Sequence, residues 1–165
     1  MLWRSALTSP LPPFSVLWLY GPGGIGKTSL LQRFADIARE ADVTPLLLDA
    51  HRLTQQKEPF IALLRHVMGL AEGEDPLSVL HDGTRRVLLI DTSELLGPLE
   101  DWLRIDVLPE LPAHCLVVFA GRSPPASGWH GDDGWAELLK PIALRNLSPD
   151  EGIRSVEHVL EGYVS

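Results

Sequence analysis

The sequence has few features of proteins from oxidising compartments or membranes. Among its 165 residues there is one cysteine, Cys115, which cannot form a disulfide within the chain. No apolar run approaches the roughly 18 residues that a membrane span needs. Residues 1–14 are interrupted by three prolines, whereas a signal peptide has a continuous apolar stretch. We therefore expect a cytoplasmic protein that does not interact with a membrane.

Positive charge is also scarce. The chain has 14 lysines and arginines against 22 aspartates and glutamates, a formal net charge of -8. A negative overall field disfavours non-specific binding to nucleic acid, and no helix-turn-helix pattern with basic recognition residues is present. The six histidines show no metal-ligand spacing with one another or with Cys115. We expect no direct contact of this segment with nucleic acid and no metal site built on histidine.

The sequence does contain a series of short apolar runs of strand length. Their hydrophobicity is continuous, which indicates strands buried on both faces, as in a parallel sheet covered by helices. Segments of helical period separate the runs and predict a doubly wound α/β fold. The five predicted strands are residues 15–20, 45–48, 87–90, 115–119 and 142–144.

Several local signals mark helices and loops between these strands. Pro59 and Pro98 suit the beginning of short helices, and the last helix begins with a capping box formed by Ser148 and Glu151. Residues 123–134 are rich in glycine, proline and serine and are predicted to form the longest loop. This loop follows the fourth strand at the edge where such sheets bind ligands, so it is either a mobile loop beside the site or an ordinary surface connection.

Residues 21–28 read GPGGIGKT and match the phosphate-binding pattern G-x-x-x-x-G-K-[ST]. An apolar strand precedes the match and an amphipathic helix follows it, which is the context that the motif requires. Backbone N–H groups of such a loop converge on the β-phosphate, Lys27 can reach the β- and γ-phosphates, and the hydroxyl of Thr28 can ligate Mg²⁺. The predicted phosphate-binding residues are Gly21, Pro22, Gly23, Gly24, Ile25, Gly26, Lys27, Thr28 and Ser29.

Three further residues complete the predicted site. Two of them, Glu94 and Arg122, are catalytic candidates together with Lys27, and the third, Asp91, is a candidate for binding the metal. Asp91 ends the third strand and suits an outer-sphere partner of Mg²⁺, with a helix N-cap as the alternative. Glu94 suits polarisation of the attacking water, with a solvated loop acid as the alternative. Arg122 follows the fourth strand and suits a contact with the γ-phosphate, with a surface arginine as the alternative.

The order of these motifs indicates which branch of P-loop proteins is present. A strand and a helix lie between the phosphate loop and Asp91, as in the branch where an extra strand separates the two motif-bearing strands. Small-molecule kinases usually place those two strands side by side and need a substrate lid. The loop at residues 123–134 keeps a kinase open as an alternative.

With these motifs the chain resembles the nucleotide-binding module of bacterial STAND and Orc-like AAA ATPases, found at the front of large LuxR-type regulators. The segments that carry the resemblance are GPGGIGKTSLLQRFA, VLLIDTSELL, LVVFAGR and LRNLSPDE. The resemblance implies a three-layer P-loop domain, whose mainly parallel five-stranded sheet has the order 5-1-4-3-2 and helices on both faces. It also implies ATP or ADP with Mg²⁺, slow hydrolysis, and a conformational switch that acts on attached or partner domains.

Two parts of the family pattern do not occur in the sequence. These are a GRxxE-like segment before the first strand and a helical lid, often followed by a winged helix. We therefore expect residues 1–165 to form one nucleotide-binding core domain, slow or inactive in hydrolysis as an isolated core. A nucleotide sensor that does not hydrolyse ATP is the first alternative function, and a small-molecule kinase is the second.

Overall fold

A computed structural model describes residues 2–22, 26–131, 133–145 and 148–164. Its centre is a sheet of five strands in the order β2-β3-β4-β1-β5, and every neighbouring pair is parallel. This confirms the predicted order, since 5-1-4-3-2 is the same arrangement read from the opposite edge. The strands are β1 (Val16–Tyr20), β2 (Thr44–Asp49), β3 (Arg86–Asp91), β4 (Leu116–Gly121) and β5 (Leu139–Ala143).

Helices and short turns connect the strands. Among the described residues, three helices have 11 to 16 residues and the others have four to seven. The helices are α1 (Leu2–Thr8), α2 (Lys27–Glu40), α3 (Lys57–Val67), α4 (Pro76–Val79), α5 (Leu99–Trp102), α6 (Ser127–His130), α7 (Asp133–Ala136) and α8 (Pro149–Val164). Three 3₁₀ turns cover Ala50–Arg52, Ser93–Leu95 and Leu108–Glu110, and a π-helical turn covers Leu103–Val107.

Each face of the sheet contributes to a separate apolar core. Side chains of successive strand residues point to opposite faces, so Leu17 and Leu19 pack under α1, α2 and α8, while Val16 and Trp18 pack on the face of α3, α5 and α6. The two cores explain why the strands are apolar along their whole length. The predicted three-layer architecture, with helices on both faces, is confirmed.

The fifth strand begins earlier than predicted, at Leu139 rather than Ile142, and contains Pro141 in its middle. Proline suggested a strand boundary because it has no N–H to donate to a neighbouring strand. However, β5 is the edge strand and pairs only with β1, so a missing donor on its outer side leaves no partner unsatisfied. Pro59 likewise lies in the first turn of α3, two residues after its first residue, Lys57.

The described part of residues 123–134 is more regular than the predicted loop. They include α6, and the side chain of Trp129 is completely buried against Trp18 and Phe119. The indole Nε1 of Trp129 donates to Glu100 Oε2 at 3.0 Å, and Nε1 of Trp18 donates to the carbonyl of Ser123 at 2.9 Å. Of the two interpretations, the structure therefore favours a connection packed on the body of the domain.

The first and last helices support each other. In the predicted capping box, Glu151 N donates to Ser148 Oγ at 3.2 Å and Ser148 N donates to Glu151 Oε1 at 3.4 Å. Glu157 of α8 accepts the backbone N–H groups of Leu2 and Trp3, which closes the N-terminus of α1. Among the described residues no helix combines the length and hydropathy that crossing a bilayer would require.

Candidate functional site

A cavity of about 480 Å³ lies at the carboxyl ends of the central strands. Ligands of open parallel sheets bind at this edge, where the loops after several strands converge. The structure brings six of the predicted site residues together around the cavity, namely Gly26, Lys27, Thr28, Asp91, Glu94 and Arg122. Another cavity, of about 440 Å³, lies at the opposite ends of β1 and β4, and its lining side chains among the described residues are uncharged.

The phosphate loop ends at Gly26, whose φ of 78° lies in the left-handed region that favours glycine. Helix α2 begins directly after Gly26, at Lys27, so the helix N-terminus follows the end of the loop, as in anion-binding loops. Gly23, Gly24 and Ile25 of the predicted loop lie outside the described residues. At the start of the loop, Gly21 N donates to the carbonyl of Gly121 at 3.1 Å, which continues the pairing of β1 with β4.

The side chain of Lys27 folds back over the beginning of this loop. Its Nζ donates to the carbonyl oxygens of Gly21 at 2.9 Å and Pro22 at 2.8 Å. Burial lowers the pKa of Lys27 below its ordinary value, and Arg122 acts in the same direction, while the carboxylates of the site oppose the shift. The ammonium group is thus held at the loop by neutral acceptors, which a phosphate can replace.

Thr28 and Asp91 form a direct link between the loop and β3. Thr28 Oγ1 donates to Asp91 Oδ2 at 2.7 Å, and Asp91 Oδ1 accepts the N–H of Thr92 at 2.8 Å. The following 3₁₀ turn has Thr92 rather than Asp91 as its N-cap residue. A hydroxyl and a carboxylate oxygen in contact provide the hard oxygen donors that Mg²⁺ binds.

The turn after β3 presses closely against β4. Thr92 has a φ of 58°, a strained conformation for a β-branched residue. A Cβ placed on Gly121 would overlap Ser93 Oγ and come within 2.7 Å of Glu94 Oε1. Gly121 therefore lets the turn that carries Glu94 lie on β4. Our sequence reasoning assigned no role to Gly121, and its place directly before Arg122 was the available signal.

Glu94 and Arg122 contact each other across this junction. Glu94 Oε1 accepts the backbone N–H of Arg122 at 3.0 Å, and the Arg122 Nε lies 3.7 Å from Glu94 Oε2. The Glu94 side chain is 22% exposed and that of Arg122 is 68% exposed. The guanidinium is therefore free to move toward a ligand, whereas Glu94 is held by the backbone.

His51 also lines the cavity, although the sequence assigned it no role. It follows β2, and the carboxyl end of β2 lies beside that of β3 because Asp49 is in register with Asp91. Asp49 caps the end of this strand by accepting the N–H of His51 at 3.0 Å. The signal for His51 was its position two residues beyond an apolar strand.

Cys115 lies in the apolar core on the face of α3, α5 and α6, at the end of the sheet opposite the candidate site. Burial raises the pKa of its thiol to about 12. A protonated thiol in apolar surroundings is a poor nucleophile, so Cys115 belongs to the core rather than to the site chemistry.

Several solved structures have a similar fold. A crystal structure of Cdc6p from Pyrobaculum aerophilum has a TM-score of 0.60 at 14% identity and covers 85% of this chain and 42% of its own. The structure of Drosophila ORC bound to DNA has a TM-score of 0.58 at 17% identity, and the match covers 90% of this chain and 42% of the ORC chain. The structure of the replication initiator DnaA bound to AMPPCP and single-stranded DNA has a TM-score of 0.56 at 17% identity, and the match covers 99% of this chain and 50% of the DnaA chain.

These likenesses show that the chain shares the α/β fold of these three structures. The chain spans half or less of the length of each of the three structures. No protein-family model and no curated protein matches the sequence. What the chain binds and does is therefore inferred from its own residues.

Proposed function

We propose that this chain binds ATP and ADP with Mg²⁺ in the cavity at the carboxyl ends of β1, β3 and β4. The observation that carries the proposal is the 2.7 Å contact between Thr28 and Asp91, formed beside Lys27 at the end of a glycine-rich loop. The fold shared with DnaA, whose solved structure holds AMPPCP, supports a nucleotide at this edge of the sheet.

The donor groups fit a magnesium nucleotide. Mg²⁺ usually keeps several waters and takes one or two protein oxygens together with phosphate oxygens. Thr28 would supply a direct oxygen, and Asp91 would hold a water of the ion through its carboxylate. Lys27 would exchange the carbonyls of Gly21 and Pro22 for phosphate oxygens, while the backbone from Gly21 to Ser29 would surround the phosphates.

We further propose slow hydrolysis that serves as a conformational switch. In this scheme Glu94 orients and polarises the attacking water, and Arg122 contacts the γ-phosphate. When bound, Mg²⁺ neutralises part of the phosphate charge. A second candidate function is a nucleotide sensor without turnover. It is favoured because both carboxylate oxygens of Glu94 already contact Arg122, Oε1 through the backbone N–H and Oε2 through the side chain. No described contact favours the small-molecule kinase.

The likeness in fold covers half or less of each solved structure, so we propose that residues 1–165 act as the nucleotide-binding core of a larger regulatory assembly. The STAND type of regulator, with attached or partner effector domains, is the arrangement that our sequence motifs favour. The net charge of -8 supports a core that does not itself contact nucleic acid, and a single buried thiol is compatible with the cytoplasm.

Calorimetric titration of the protein with ATP and GTP, each with Mg²⁺ and with EDTA, tests the proposal. We expect ATP to bind more tightly with Mg²⁺, and Lys27→Ala to weaken binding by at least about tenfold, since charged hydrogen bonds are lost. Lys57→Ala is the matched control, because Lys57 lies on α3 over Trp102 and outside the cavity. Equal ATP affinity of wild type and Lys27→Ala, at unchanged circular dichroism, would contradict the assignment.

A further inference from the structure

Asp49 and His51 form a hydrogen-bonded pair at the carboxyl end of β2. Asp49 Oδ1 lies 2.9 Å from Nδ1 of the His51 ring and also accepts the backbone N–H of His51 at 3.0 Å. The two contacts fix both the main chain and the ring of His51 relative to one carboxylate. Because Nδ1 faces that acceptor, it carries a proton, and Nε2 is the nitrogen left for another partner.

The chain that follows this pair is held firmly in place. Thr54 and Gln55 both have left-handed backbone angles, with φ of 47° and 56°. Two such residues in succession persist only where packing determines the backbone. The Gln55 side chain packs so closely over Gly97 that a Cβ there would lie 2.6 Å from it. The turn of His51 is thus packed beside the chain that follows Glu94.

The pair lies at the carboxyl end of β2, a strand that contributes no residue to the predicted site. His51 lines the cavity described above, and its side chain is 63% exposed. In the described part of the chain, Nε2 of the ring has no hydrogen-bond partner. The charged groups around the cavity, apart from Asp49, are Lys27 from α2, Asp91 from β3, Glu94 from the following turn and Arg122 after β4.

We propose that His51 donates a hydrogen bond from Nε2 to the terminal phosphate of bound ATP, with Asp49 as the positioning residue for the ring. The proposal rests on nucleotide binding at this site. A ring with protons on both nitrogens donates to the carboxylate on one side and to a phosphate oxygen on the other. The contact would add a hydrogen-bond donor to those of Lys27 and Arg122 and would discriminate ATP from ADP.

The test compares dissociation constants of Mg²⁺-ATP and Mg²⁺-ADP for wild type, His51→Ala and His51→Gln in one buffer. We expect His51→Ala to weaken ATP binding by about five- to tenfold and ADP binding by less than twofold.

Two variants sharpen the result. His51→Gln retains an amide donor, so its ATP affinity should exceed that of His51→Ala. His158→Ala is the matched control, because His158 lies on α8, is 88% exposed and is outside the cavity. It should leave both dissociation constants unchanged.

The outcomes separate this proposal from the proposed function. If Lys27→Ala weakens nucleotide binding and His51→Ala changes the affinity for neither ATP nor ADP, the proposed His51 contact is wrong and the proposal of nucleotide binding stands. If neither variant changes binding, both are wrong. Equal losses of ATP and ADP affinity, or a loss of turnover at unchanged ATP affinity, would also contradict the phosphate contact. The latter would place His51 at the attacking water. Circular dichroism and urea unfolding of each variant confirm that it is folded.

Discussion

Substitution of Gly121 by alanine tests how closely the turn that carries Glu94 packs on β4. The added Cβ would overlap Ser93 Oγ and lie 2.7 Å from Glu94 Oε1 and 3.0 Å from the backbone N of Ser93. Gly121 does not have a positive φ, so alanine suffers no backbone strain and the whole penalty comes from these contacts. Overpacking of this kind costs about 1–3 kcal/mol.

A smaller opposing effect comes from the unfolded state, where alanine has less conformational freedom than glycine and stabilises by about 0.4–1 kcal/mol. The net loss should therefore be about 1–2 kcal/mol. For a chain of this length it corresponds to a fall of about 2–8 °C in Tm. Urea unfolding at fixed temperature gives the free energy, and a melting curve gives the shift in Tm.

Two companion variants identify the cause. Gly162→Ala is the matched control, because Gly162 lies on α8 with open space around it, and there alanine should stabilise by about 0.5–1 kcal/mol. Ser93→Ala removes a buried hydroxyl that has no hydrogen-bond partner, so it should be neutral or stabilising alone and should recover part of the loss caused by Gly121→Ala. Full wild-type stability of Gly121→Ala, or no recovery in the double variant, would refute the packing argument.

Three other predictions concern the site and the core. Arg122→Ala should weaken ATP binding by about ten- to a hundredfold and leave ADP binding nearly unchanged, and parallel changes measured by calorimetry would contradict a γ-phosphate contact. Glu94→Gln keeps an acceptor for the Arg122 N–H, so ATP binding should persist while phosphate release falls by about a hundredfold or more; equal turnover would make Glu94 a bystander. Cys115 should resist alkylation by iodoacetamide at pH 8 until urea unfolds the chain, and because the folded thiol keeps its proton, stability should fall as the pH rises above about 9. Rapid alkylation of the folded protein would contradict this burial.

The parts that could be predicted from the sequence are those whose signals are contiguous. The loop before Lys27 and the capping box at Ser148 depend on neighbours within a few residues. The continuous hydrophobicity of the strands indicates that both of their faces are buried. The sheet order came from family resemblance rather than from any local pattern. Asp91 was predicted because a carboxylate at the end of a buried strand needs a partner, and Thr28 provides one.

The features that were missed depend on distant contacts. Helix α1 is short and has no strong local start, and it forms because Trp3 packs against Phe34 and Glu157 caps its first N–H groups. His51 and Gly121 acquire their positions only when β2, β3 and β4 are side by side. The limits of β5 were misplaced because the effect of a proline depends on whether its strand lies at the edge of the sheet.

The contact between Arg122 and Glu94 implies that their two proposed roles are coupled. Glu94 needs a free carboxylate oxygen to polarise water, and Arg122 needs a free guanidinium to contact the γ-phosphate. The ion pair is 3.7 Å long and its arginine is largely exposed, so breaking it costs about 1 kcal/mol or less. A γ-phosphate that attracts the guanidinium would release Oε2, while the backbone N–H of Arg122 still holds Oε1.

Loss of the Arg122 side chain should therefore have two opposing consequences under the proposed scheme. ATP affinity falls because the guanidinium is missing, yet the Glu94 carboxylate is no longer held through Oε2. Turnover at saturating ATP would then fall less than affinity, whereas an arginine needed for the chemical step would lower both. Comparison of kcat with the ATP dissociation constant in Arg122→Ala thus distinguishes a residue that detects the γ-phosphate from one that acts on the transition state.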